Sequence, residues 1–97
     1  MKTHFIAELK YKTAEEGGRK TPAYNGYRPQ VKFNFSEKQT SGSQKFLDKE
    51  KANPGETITS EITVLTPDFF KKKLEIGMRF QFLEGSAVIG KGKVLEI

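Results

Sequence analysis

The residues best suited to chemistry are basic side chains that lie close to aromatic rings. Arg19 and Lys20 fall in a polar loop, Arg28 follows Tyr27, and a lysine run follows two phenylalanines; the run is Lys71, Lys72 and Lys73. Cations neutralise phosphates and rings stack or pack, so this combination is typical of nucleic-acid binding. The alternative is that the rings form the core and the lysines keep a small protein soluble, and composition alone favours it.

Net charge supports a polyanionic partner without identifying one. The 97 residues carry 17 Lys and Arg against 12 Asp and Glu, a net charge of +5. This balance suits a phosphate backbone or an acidic protein surface. The length predicts one domain, residues 1–97. Cysteine is absent and His4 is the one histidine, which excludes disulfides, thiol catalysis and a multi-histidine metal site, so we expect no metal and no cofactor.

One segment comes close to a phosphate-binding loop. Residues 85–92 read Gly-Ser-Ala-Val-Ile-Gly-Lys-Gly, but Gly92 replaces the Ser or Thr that would hold magnesium. No helix follows Lys91 to direct N–H groups at a phosphate. No nucleophile with a base and an orienting group is recognisable either. We therefore expect neither nucleotide binding nor an enzyme.

The same sequence gives no sign of a membrane segment. No apolar run approaches the roughly 20 residues that a spanning helix needs. A glutamate interrupts the apolar start of the chain, which argues against a signal peptide. A cytoplasmic, monomeric protein is the simplest expectation.

Alternating apolar residues predict the elements that must position these side chains. Period two indicates strands at about 4–13, 28–36, 57–65, 78–83 and 87–97, the last two joined by a tight hairpin at Glu84-Gly85-Ser86. Residues 36–56 show no clear pattern apart from a turn at Pro54-Gly55, and 69–76 are interpreted as a loop with exposed lysines. Gly90 and Gly92 mark a bulge or the close approach of another backbone. This tally, five clear segments and about six strands in all, predicts a small all-β barrel or sandwich.

One stretch is specific enough to identify a family. Residues 15–30, Glu-Glu-Gly-Gly-Arg-Lys-Thr-Pro-Ala-Tyr-Asn-Gly-Tyr-Arg-Pro-Gln, resemble the signature loop of the C-terminal domain of bacterial elongation factor Tu. The resemblance extends over about 3–96. It implies an all-β, six-stranded antiparallel Greek-key barrel, here expected to be free-standing. In the family this domain contacts the T-stem of aminoacyl-tRNA and helps to bind the nucleotide-exchange factor.

The resemblance also implies roles for individual residues. Its RNA-contacting positions correspond to Arg19, Lys20, Gln30, Glu84 and Gly85 and, by a weaker match, Ser41. Tyr27 and Arg28 match as structural members of the loop. Basic family positions are lost at Thr66, Leu83 and Ala87, whereas Lys71–Lys73 add charge. We therefore expect a non-catalytic module that binds tRNA or another structured RNA; the alternative is a module that docks on a translation component or another protein.

Overall fold

The strands of this chain close into a barrel. A computed structural model describes residues 2–35, 37–65 and 72–97. The strands, in chain order, are β1 (Lys2–Tyr11), β2 (Ala23–Tyr24), β3 (Gln30–Phe33), β4 (Thr40–Phe46), β5 (Lys51–Ala52), β6 (Thr57–Leu65), β7 (Arg79–Glu84) and β8 (Ala87–Glu96).

Six of these strands form the barrel in the spatial order β1-β6-β4-β3-β7-β8, and β8 pairs with β1 to close it. Every pairing is antiparallel. The consecutive barrel strands β3, β4 and β6 are neighbours, and β1 returns beside β6, which is a Greek-key connection. The predicted six-stranded antiparallel Greek-key barrel is therefore confirmed. Strands β2 and β5 form a separate two-stranded sheet.

Aromatic rings fill the interior. Alternate residues of β1 point inward, and Phe5, Leu9 and Tyr11 are among the fully buried side chains. The Phe5 ring meets that of Phe80 edge-on at a centroid distance of 5.8 Å, and Tyr11 meets Phe82 at 4.9 Å. Edge-to-face pairs at these distances add to the gain from burying apolar area. The period-two alternation that predicts a strand at about 4–13 thus corresponds to one buried face of β1.

Two glycines in β8 make room for these rings. A Cβ on Gly92 would lie 2.1 Å from Cζ of Phe80, and one on Gly90 would lie 2.1 Å from Cζ of Phe82. The close approach predicted at these glycines is thus chiefly an approach of aromatic side chains. A backbone atom, the carbonyl oxygen of Lys10, would also lie 2.7 Å from a Cβ on Gly90. Any larger residue at either position must displace a ring from the core.

The sixth barrel strand lies where the sequence showed no pattern. Strand β4 alternates normally, but its inward residues are Gly42, Gln44 and Phe46. Gln44 is buried and accepts a hydrogen bond from the Tyr11 hydroxyl. A glycine and a glutamine in two of three inward positions conceal the hydrophobic alternation from which strands are predicted.

Turns and connections agree with the sequence in part. The Pro54-Gly55 turn is confirmed: Gly55 has φ 85, and the amide of Glu56 donates to the carbonyl of Asn53 at 3.0 Å. The loop predicted at 69–76 has helical backbone at Lys72 and Lys73. Residues 69–71 of this loop, among them Lys71, lie outside the described residues, and so does Thr66.

Candidate nucleic-acid interface

The loop before β3 and the β7–β8 hairpin meet at one corner of the barrel. We call Arg19, Tyr27, Glu84 and Gly85 the Arg19 corner. The Arg19 guanidinium forms an ion pair with the carboxylate of Glu84. Its central carbon lies 4.6 Å from the centroid of the Tyr27 ring, a cation–π geometry. Residues 65 positions apart in sequence are therefore joined by a direct ion pair.

Most donors of Arg19 are already used inside the protein. Its Nε donates to the carbonyl of Thr21, and NH2 donates to the Thr21 hydroxyl and the carbonyl of Pro22, each at 3.3 Å. With the bond to Glu84, four of its five N–H groups have acceptors. Burial lowers the pKa of Arg19, but the interactions with Tyr27 and Glu84 outweigh it and raise that pKa. Arg19 thus positions the loop and Glu84.

Tyr27 completes the link between the loop and the hairpin. Its hydroxyl donates to Oε2 of Glu84, the same oxygen that Arg19 contacts. Burial and this bond to a carboxylate raise the pKa of Tyr27, so the phenol stays protonated and keeps donating at neutral pH. The other carboxylate oxygen, Oε1, takes part in neither bond. The structural role expected for Tyr27 agrees with this geometry.

The turn that carries Glu84 fixes the backbone N–H beside it. Gly85 and Ser86 are the two loop residues between β7 and β8. Gly85 has φ 60, as the first position of a type II′ hairpin turn requires. The tight hairpin predicted here is therefore confirmed. A side chain at this position would strain the turn and move the carboxylate of Glu84.

Gln30 and Ser41 lie next to this corner on the outer surface. Gln30 is opposite Ser41 of β4 on one side and opposite Leu83 of β7, the residue before Glu84, on the other. Its Nε2 donates to the Ser41 hydroxyl at 3.2 Å. The structure thus brings Arg19, Gln30, Ser41, Glu84 and Gly85 to one end of the barrel, and Lys20 is exposed on the loop beside Arg19.

The lysine run is elsewhere. Lys72 and Lys73 are exposed, and Nζ of Lys73 lies 5.8 Å from the ring of Phe35. Phe35 follows the end of β3, whereas Gln30 begins that strand, so about 10 Å of strand separates the two regions. Of the departures from the family pattern, Leu83 is buried and Ala87 exposed, and neither side chain supplies a donor.

A second basic surface was not predicted. Outward residues of four neighbouring strands place five cations together, and we call this set the lysine wall: Lys10, Lys32, Arg79, Lys91 and Lys93. Lys91 is opposite Lys10 of β1, and Lys93 is opposite Arg79 of β7. A groove of about 300 Å³ runs between them, lined also by Glu8 and Gly92. The alternation signalled that each residue faces outward, but not which strands are neighbours.

In the described residues, little supports a metal site, a phosphate-binding loop or a membrane-spanning helix. Within 2–35, 37–65 and 72–97, no three His, Asp or Glu side chains are grouped as a metal site would need. His4 is held by Thr63, with Nδ1 2.8 Å from its hydroxyl. Residues 85–92 form a hairpin turn and a strand that continues to Glu96. No helix of this described part is long and apolar enough to cross a membrane.

A comparison with known families identifies the same family as the signature loop and the barrel fold do. The family model described as Elongation factor Tu C-terminal domain matches residues 1–97. The match includes the signature loop, the barrel strands and the hairpin that together build the Arg19 corner. This protein belongs to the elongation factor Tu C-terminal domain family.

Proposed function

We propose that this domain is a non-catalytic module that binds structured RNA, tRNA in the first instance, at the Arg19 corner and the adjoining residues Gln30 and Ser41. Family membership supports a binding module related to translation. The observation that carries the RNA assignment is the ion pair between Arg19 and Glu84, with Tyr27 bonded to the same carboxylate. It holds the signature loop against the hairpin and so gathers the expected contact residues.

Each of these groups suits the backbone of RNA. Lys20 supplies an exposed cation for a phosphate, and the remaining N–H of Gln30 and the N–H of Gly85 supply neutral donors. Glu84 is held by two donors on one oxygen, which leaves the other oxygen to accept from a ribose 2′-hydroxyl. A 2′-hydroxyl is a donor that DNA lacks, so this contact distinguishes RNA from DNA.

One observation favours the second candidate, docking of a protein at the same loop. Tyr24 is 60% exposed, although it lies three residues before Tyr27 in the signature loop. Exposed tyrosines are enriched in protein interfaces. A translation component that buries this ring would use the corner without any contact to RNA.

The test measures binding of a fluorescent tRNA by anisotropy at several salt concentrations. The variant pair Lys20→Ala with Gln30→Ala is compared with Lys45→Ala with Asn34→Ala, which removes the same kinds of group from exposed positions elsewhere. We expect native affinity on the order of 10⁻⁴–10⁻⁶ M, typical of largely electrostatic contacts, and a loss only in the first pair. Equal affinity in both pairs, or no binding of tRNA, would exclude the corner as an RNA site and leave protein docking.

A further inference from the structure

We propose that the lysine wall is a second contact surface for RNA, which takes the phosphodiester backbone of a duplex that extends beyond the Arg19 corner. The inference rests on the proposed function for the identity of the ligand. It adds a surface on β1, β7, β8 and β3 that the signature loop does not include. Its five cations are Lys10, Lys32, Arg79, Lys91 and Lys93.

The wall brings like charges together within the fold. Lys10 and Lys91 are directly opposite, and so are Arg79 and Lys93. Like charges in such cross-strand pairs destabilise a sheet. One acid, Glu8, is opposite Lys93, and neither of the two ion pairs in the described part of the chain includes a residue of the wall. Apart from the pair of Glu8 and Lys93, the charges that face each other on the wall therefore repel, and a bound polyanion would remove this repulsion.

The opposite side of the barrel shows that this is not a general property of its surface. There Lys45 of β4 is opposite Glu61 of β6, and Ser43 is opposite Thr63. Opposite charges and hydroxyl groups in such pairs stabilise a sheet. Among the strand pairings of the described residues, the like-charge pairs are thus on the wall.

The dimensions suit a chain of phosphates better than one anion. The wall crosses four strands, about 14 Å at roughly 4.8 Å per strand, and its two rows lie about 7 Å apart along the strands. Lys32, Lys91 and Lys10 lie in one row, and Arg79 and Lys93 lie in the other. A single phosphate cannot reach both ends of the row that runs from Lys32 to Lys10. A nucleic-acid backbone, which carries a charge on every residue, can contact both rows.

Chemistry also favours RNA over an acidic protein. Four of the five cations are lysines, point charges that neutralise phosphates without a fixed geometry. Protein interfaces place aromatic residues, Met and Arg at their core. Gln81 lies in the row of Lys32, Lys91 and Lys10, and the buried Gly92 lies between the two rows. In the described residues, no exposed large hydrophobic side chain is part of either row: Leu95 follows Lys93 by two residues on β8, and Ile76 lines a groove together with Arg79.

The wall is continuous with the Arg19 corner. Gln30 and Lys32 are two residues apart on β3, so they share its outer face. Lys32 is opposite Gln81 of β7, which in turn is opposite Lys91 of β8. A duplex that touches Gln30 and Ser41 at the corner can therefore continue onto the wall without leaving the surface of the barrel.

The experiment separates the wall from the corner. A labelled RNA hairpin is titrated with the native protein and with two double variants, each of which loses two exposed lysines. The wall variant is Lys91→Gln with Lys93→Gln, and its control is Lys45→Gln with Lys51→Gln. Because each phosphate contact contributes about 0.7–0.9 to the slope of log affinity against log salt, the wall variant should lose about 1.5 of slope. It should bind roughly 10- to 100-fold more weakly at about 50 mM salt, and the control should lose little.

Each of the other results separates the wall from one alternative. If both double variants weaken equally, net charge alone matters. If the wall variant binds as the native protein does while Lys20→Ala with Gln30→Ala weakens binding, the wall fails and the corner stands. The reverse result supports the wall and excludes the corner. If poly-glutamate displaces the RNA and binds equally well through the wall, the ligand is an acidic protein, and RNA is excluded as its specific occupant.

Discussion

The Arg19 corner and the lysine wall are both basic surfaces, but their charges are balanced in opposite ways. At the corner, Arg19 is paired with Glu84, lies over Tyr27 and donates to the loop backbone. On the wall, Lys10 is opposite Lys91 and Arg79 is opposite Lys93. A cation whose donors are used internally positions its neighbours, whereas cations that repel one another inside the fold gain most from an external anion.

This difference in charge balance changes the role that we assign to the residues that match the family motif. Correspondence with a family motif suggests that Arg19 contacts RNA directly, but four of its five N–H groups have acceptors in the protein. We infer that Arg19 mainly presents Glu84 and Gly85. Electrostatic attraction for a polyanion must then come from cations such as Lys20 at the corner and those of the wall.

The first prediction, which has the largest expected effect on stability, concerns the packing of the core directly under the wall. Gly92 lies between Lys91 and Lys93, and a Cβ there would be 2.1 Å from the Phe80 ring. Gly92→Ala should therefore lower the free energy of unfolding by about 2–3 kcal/mol, near the upper end of the usual cost of overpacking. Urea denaturation measures this change.

A double variant identifies the cause. Phe80→Leu removes the ring atoms that clash, so Gly92→Ala should cost less in that background than in the native protein, a coupling of at least about 0.5 kcal/mol. Additive losses in the double variant would show that the ring is not what excludes a side chain at this position.

The second prediction tests the corner through pH. Burial and the bond to Glu84 raise the pKa of Tyr27 above its ordinary value of 10.0. Above pH 10 the unfolded tyrosine loses its proton first, so stability is fully present below that pH and falls as the pH rises towards the folded pKa. The fall is at most about 1.4 kcal/mol per pH unit for one group, and partial exposure of Tyr27 reduces it.

Replacement of the phenol should remove that part of the alkaline slope. Tyr27→Phe should be less stable than the native protein at pH 8, by about 1 kcal/mol for the lost hydrogen bond, and should lose less of its stability between pH 10 and 11. Tyr24→Phe, at a position 60% exposed, should leave both quantities unchanged. Burial also raises the pKa of Tyr11, so Tyr11 contributes to the alkaline slope of every variant and only differences in slope are compared. An unchanged slope in Tyr27→Phe would contradict the link to Glu84.

Much of the barrel could be predicted because five of its strands bury hydrophobic side chains in alternation. In β1 and β6 the alternate residues Phe5, Leu9, Ile58 and Ile62 are all buried. Strand β4 escaped prediction because Gly42 and Gln44 occupy inward positions. Gln44 is inward because it satisfies the buried hydroxyl of Tyr11, and such a pairing between distant strands leaves no signal in either segment.

The corner and the wall also differ in how far the sequence could predict them. Arg19 and Tyr27 could be named in advance because they fall in a motif of rare residue types with fixed spacing. Glu84 and Gly85 could be named because the family resemblance extends to the hairpin, although the contacts among the four could not be predicted. The wall has no motif. Alternation shows that Lys10 and Lys91 each face outward, but it does not show that β1 and β8, at opposite ends of the chain, pair to close the barrel.

The last prediction, with the smallest effect, inverts one charge on each side of the barrel. Lys91→Glu places a carboxylate opposite Lys10, and Lys45→Glu places one opposite Glu61. The first replaces a repulsive cross-strand pair by an attractive one and the second does the reverse, although both lower the net charge equally. We expect Lys91→Glu to raise the free energy of unfolding, and Lys45→Glu to lower it, by about 0.2–1 kcal/mol each.

At low salt, the urea midpoints of the two variants should shift in opposite directions. About 1 M salt should suppress both shifts, because the Debye length is then only about 3 Å. If both variants shift in the same direction, net charge and not local pairing governs stability, and the wall loses the internal repulsion that argues for a bound polyanion.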